Sequence, residues 1–186
     1  MTYQLFDQNF VSIHFLPTNN VLGQGPNVIL KQMQTIWSPL FKNVNNPLLE
    51  RSFKIGGYFK YQVNEVVTVI SLNTLYFMIE NDAVLDCIPM DLYFPPRYSP
   101  NSTIDVPGDE QLNWLIDILE SDQSMHFIII GHIPPQGSEN NVLYHPICYN
   151  NFVSILGYYS KRIIGNFVTF VDFSLDILTR MWSMFC

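Results

Sequence analysis

Two hydrophobic periods alternate along this chain. Residues 27–37 (NVILKQMQTIW) place Ile29, Met33, Ile36 and Trp37 on one face at helical spacing, and Pro39 is expected to end the helix. Residues 65–72 are almost continuously apolar and rich in β-branched side chains, the pattern of a strand covered on both faces. Asp109 and Glu110 open a further helix, acids in its first turn matching the positive end of the helix dipole, and Leu112, Leu115, Ile116 and Leu119 form its apolar stripe. Phe127, Ile128, Ile129 and Ile130 read as a second buried strand. Between residues 87 and 107, Pro89, Pro95, Pro96 and Pro100 indicate a long surface loop. Helical and strand-like segments in alternation predict an α/β (α+β) fold.

Composition narrows this picture. The chain has 186 residues, a length that suits one domain, and 48% of them are apolar, enough for a real core. Nine Lys and Arg against sixteen Asp and Glu leave a net charge of −7, so a basic footprint for nucleic acid is absent. The first residues carry an acid and no Lys or Arg, so no signal peptide is read there. The apolar stretch after residue 163 is interrupted by Asp172, Asp176 and Arg180. It falls short of the roughly 20 residues that span a bilayer, so no transmembrane segment is expected. Asn101-Ser102-Thr103 is an N-glycosylation sequon in the Pro-rich loop, a pointer toward the secretory route.

The most informative position is where the strand 127–130 runs into Gly131-His132-Ile133-Pro134-Pro135. Ligands of α/β sheets collect beyond the carboxyl ends of strands. There Gly131 would allow a sharp turn, and Pro134 and Pro135 would stiffen the loop that follows. His132 is thereby held at a strand tip, which suits a metal ligand or a general acid/base; the alternative is a His that only hydrogen-bonds a nearby carbonyl. The other histidines read differently: His14 as a half-buried strand residue, His126 as a solvent-facing residue before the strand, His145 as part of a turn. Cys87 and Cys148, both read as loop residues, could pair in an oxidising compartment, which would leave Cys186 over. No Gly-rich phosphate loop, serine elbow or HExxH motif is present.

Several segments taken together resemble a known family. They are Asn20-Val21-Leu22, Gly25-Pro26-Asn27, Ile36-Trp37-Ser38-Pro39, Gly56-Gly57-Tyr58-Phe59, the run SLNTLYF that contains Asn73 and Thr74, Gln111-Leu112-Asn113-Trp114, and the GHIPP block of His132. In this order they are similar to the calcineurin-like metallophosphoesterases, in the acid sphingomyelinase-like branch, and nearest to members that cut inorganic polyphosphate internally. The resemblance implies a sandwich of mixed sheets flanked by helices. It also implies a vacuolar or secretory location and two divalent metal ions at the strand tips. His132 would be a metal ligand, Gly131, Pro134 and Pro135 would shape its loop, and Asn73 and Thr74 would play a supporting part.

The family's Asp-x-His block and its Gly-Asp block with a bridging carboxylate, both expected upstream of the segments above, are not found there. Its Asn-bearing block would fall on residues 11–14, which lack Asn, and its Gly-His-x-His block is replaced after Gly165 by Asn166-Phe167-Val168. Of the usual ligand set His132 alone is retained, and one imidazole cannot hold a metal pair. The resemblance thus implies a partial phosphoesterase domain over residues 1–167, a divergent apolar tail over 168–186, and a chain inactive by itself. A sphingomyelinase-like phosphodiesterase and a non-catalytic pseudoenzyme or binding module are the other readings.

Overall fold

The computed structural model describes residues 25–41, 51–90, 106–121, 125–137 and 141–168. Sequence expectations at His14, Asn101, Cys186 and the tail beyond Val168 lie outside them. Four helices and four strands are described: α1 (Gly25–Trp37), α2 (Arg51–Gly56), β1 (Phe59–Gln62), β2 (Val67–Ser71), α3 (Pro107–Ser121), β3 (His126–Gly131), α4 (Pro146–Tyr158) and β4 (Ile163–Val168). Short 3-10 turns at Ser38–Phe41 and Thr74–Tyr76 complete the set.

The strands form one mixed sheet in the order β1-β2-β3-β4. β1 and β2 are an antiparallel hairpin, with Phe59 opposite Ser71. Its turn is fastened by the Asn64 side chain, which accepts the N–H groups of Val66 and Val67. β2 and β3 are parallel, joined through α3, and β3 and β4 are parallel, joined through α4. Parallel neighbours put the carboxyl ends of β2 and β3 side by side, which brings residues 72–74 and 131–133 together.

The main core gathers around α3 and α4, which pack against each other. α3 follows the expected stripe: Leu112, Leu115, Ile116 and Leu119 are all buried. α4 buries Cys148, Asn151, Phe152 and Ile155 at helical spacing, and Phe152 meets the rings of Phe77 and Tyr144. A second cluster joins Leu30, Met33 and Trp37 of α1 to Phe53 of α2 and Phe59 of β1.

Two sequence expectations change here. Ile36 is 69% exposed, because α1 turns Leu30, Met33 and Trp37 toward Phe53 and Phe59. The sequence offered two overlapping apolar stripes, and only the packing partner selects between them. The α-helix ends at Trp37, ahead of Pro39 as expected, and the chain goes on as the Ser38–Phe41 3-10 turn. Cys148 is in the first turn of α4 rather than in a loop.

Candidate functional site

Leu72 donates its N–H to the Ile130 carbonyl at 2.9 Å, which carries the β2–β3 ladder to its end. The chain then bends at Asn73 into the 3-10 turn that begins with Thr74. Asn73 and Thr74 are buried, and their polar groups have specific partners. Gln111, fully buried on α3, grips the main chain of Asn73 at two points: Asn73 N–H donates to Oε1 at 2.7 Å and Nε2 donates to the Asn73 carbonyl at 3.1 Å. The Asn73 side chain donates through Nδ2 to the Gly56 carbonyl at 2.9 Å, while its buried Oδ1 has no hydrogen-bond partner among the described residues.

Thr74 faces β3. Its Oγ1 accepts the N–H of His132 at 3.2 Å and that of Ile133 at 2.7 Å. The Tyr144 hydroxyl donates to the Ile133 carbonyl at 2.7 Å. His132 is therefore half-buried just past the tip of β3, on a backbone fastened to the tip of β2. Gly131 is the last residue of β3, opposite Val168, and is not at positive φ; the chain bends after it. Gly57 is the glycine at positive φ (73°) among the described residues, where the chain passes under Leu30 between α2 and β1. Beyond Pro134, Pro135 accepts the Leu143 N–H at 3.0 Å and Gln136 bridges to Val142, so the loop returns as a narrow ladder toward Tyr144.

Phenols surround this junction. Burial, with the Glu110 carboxylate adding to it, pushes the Tyr76 hydroxyl up to about 12. Burial likewise raises Tyr58 well above the ordinary phenol range, with Glu110 and Tyr76 reinforcing the shift. The Tyr58 ring lies 4.9 Å from that of Trp114 and closes over Gly56. These hydroxyls stay protonated through the neutral range.

A second polar cluster lies at the start of α4. Cys87 and Cys148 form a disulfide across a separation of 61 residues. Asp86 beside it accepts the N–H groups of Cys87 at 2.8 Å, Ile147 at 3.2 Å and Cys148 at 3.1 Å. The donor atoms of Asp86, Cys87 and Cys148 lie within 4.8 Å of one another. The sulfurs are bonded to each other and the carboxylate is taken by amide donors at a helix N-terminus, so this is a cap and a staple rather than a cradle for an ion. It is the only set of three His, Cys, Asp or Glu donors near enough to share an ion among the described residues, and His132 is not part of it. The described residues thus offer an imidazole at the strand tips but not a complete ligand set for two metal ions.

The expected residues divide accordingly. Gly131, His132, Pro134, Pro135, Asn73 and Thr74 come together at the β2–β3 tips, while Cys87 and Cys148 form a separate staple. Gln111, Tyr144 and Asp86 were not anticipated. Gln111 was readable as a polar residue on the buried side of the α3 stripe, whereas nothing in the pattern marks Tyr144 or Asp86. No helix of the described residues is long and apolar enough to cross a membrane.

No family model matches the chain. It is 28% identical over 151 residues to the endopolyphosphatase of Schizosaccharomyces pombe, a match that covers 79% of this chain and 22% of that protein. It is 27% identical over 151 residues to the endopolyphosphatase of Neurospora crassa, covering 79% and 18%. It is also 33% identical over 120 residues to sphingomyelinase phosphodiesterase C of Dictyostelium discoideum, covering 63% and 22%. The chain spans about a fifth of the length of these curated relatives. The matches relate it to proteins named as hydrolases of phosphoester and polyphosphate bonds.

Proposed function

We propose that this chain carries part of the scaffold of a metal-dependent phosphoester or phosphoanhydride hydrolase of the calcineurin-like kind, with polyphosphate as its substrate. The observation that carries this reading is the position of His132 at the carboxyl end of a parallel strand, fastened to the adjacent tip of β2, in a chain whose relatives include endopolyphosphatases. His132 supplies one metal ligand, and the remaining ligands come from outside the described residues. Divalent ions bound at such a tip would polarise a phosphoryl oxygen and acidify a bound water. The protein's own share is to hold in place the backbone that carries the imidazole. A vacuolar or secretory location fits the buried Cys87–Cys148 disulfide, since such bonds persist in oxidising compartments.

The Dictyostelium relative supports a second reading, hydrolysis of a phosphodiester. The test is to sequence the transcript across both ends and assay its product with Mn2+ or Zn2+ on polyphosphate and on a chromogenic phosphodiester. Polyphosphate shortening is expected, reduced in His132→Ala by roughly 100-fold or more, beyond the loss of an outer-shell partner. Faster cleavage of the diester would favour the second reading. Cleavage of neither would leave a non-catalytic binding module. Elemental analysis of the 186-residue chain should find less than a stoichiometric pair of ions, and two tightly held ions would show that its ligand set is complete.

A further inference from the structure

Past Gly131 the β3 ladder has ended, yet Ile133 is fully buried, so its N–H and C=O require partners from elsewhere. Two hydroxyls supply them. Thr74 Oγ1 accepts the N–H groups of His132 and Ile133, and the Tyr144 hydroxyl donates to the Ile133 carbonyl. Thr74 thus receives two amide protons, and Tyr144 gives its own to the carbonyl of the same peptide segment. Neither hydroxyl can swing away. The Tyr144 ring is wedged between those of Phe77 (centroids 5.1 Å apart) and Phe152 (5.8 Å), and Thr74 starts a turn whose preceding residue is gripped by Gln111.

We infer that Thr74 and Tyr144 are the positioning residues of the His132 site, fixing from both sides the backbone that carries the imidazole without themselves touching the substrate. The inference rests on the proposed reading of His132 as a ligand. A ligating side chain must be held to within about half an ångström, and that precision comes from groups that lock its backbone and rotamer. Packing alone would bury Ile133 equally well around a Val at 74 and a Phe at 144. What the two hydroxyls add is direction: they orient the peptide immediately after His132.

The experiment compares the parent chain with Thr74→Val, Thr74→Ser and Tyr144→Phe. Amide hydrogen exchange is followed at His132 and Ile133 against Ile128 and Ile129 of β3, and the His132 ring signals are followed by NMR with and without Mn2+. Thr74→Val and Tyr144→Phe should speed exchange at His132 and Ile133 by about tenfold or more, as expected when buried amide groups lose their partners, with Ile128 and Ile129 little changed. Both should split or broaden the His132 ring signals, while Thr74→Ser behaves as the parent. An equal rise throughout β3 would show a purely structural role and overturn the inference; so would unchanged ring signals in both variants. If Thr74→Val does not fold, Tyr144→Phe decides by the same readouts. The ligand reading stands or falls separately: it requires Mn2+ to broaden the parent His132 ring signals. A ring untouched by Mn2+ beside accelerated exchange would remove the ligand and leave the fastening, whereas a broadened ring beside unchanged exchange would do the reverse.

Discussion

Asp86 caps a helix that begins 60 residues after it. Its carboxylate accepts the N–H groups of Ile147 and Cys148, two of the donors that the first turn of α4 cannot satisfy internally, and its charge faces the positive end of that helix. The local N-cap, His145, makes no side-chain capping bond. Asp86→Ala should therefore cost about 1–2 kcal/mol in denaturant unfolding, and Asp86→Asn, which keeps an accepting oxygen, should lose less. Such contacts explain how far the site was legible from sequence. His132 was visible because strand, glycine and prolines are contiguous. Thr74 came only with the family resemblance, and Gln111, Tyr144 and Asp86 act across gaps of 38, 11 and 61 residues on peptide groups that every residue carries. No spacing in a sequence records that kind of recognition.

At the scale of elements, α3, β2 and β3 were legible because each presents one uniform period, and each is built into the main core. β1 and α4 were not. β1 is four residues long, too short for a period to declare itself. α4 has its buried side at 148, 151, 152 and 155, but Asn151 occupies one of those positions, donating to the Ile88 carbonyl and accepting the Met90 N–H. A polar residue with a buried structural task disguises the stripe. The same segment, residues 86–90, is tied to α3 through Asp109, which accepts the Ile88 N–H at 3.1 Å, and to α4 through the disulfide. Breaking that bond should loosen a strap shared by both helices. From the loop entropy of its 61-residue separation, Cys148→Ser should lose up to about 4 kcal/mol, read as a lowered unfolding midpoint that reductant reproduces in the parent.

For the molecule as a whole, the buried phenols predict an alkaline limit. Tyr76 ionises at about 12 in the folded chain, and Tyr58 and Tyr144 are also raised, in each case first through burial. In the unfolded chain phenols ionise near 10. A raised folded value means that the unfolded state releases its proton first, so the stability these groups contribute is complete below about pH 10 and is lost as pH rises through 12. Phenolate absorbance should show a late, cooperative step coincident with loss of circular dichroism. A single smooth titration with the fold intact would contradict this.

The fastening of residues 132–133 also separates an address from its occupant. Thr74 and Tyr144 read N–H and C=O groups, which are the same whatever side chain residue 132 carries. These bonds hold the loop through groups that do not change with the side chain at 132, so they remain available when another donor replaces His132. A scaffold of this kind can drift between activities, or lose activity altogether, while its fold remains under the same selection.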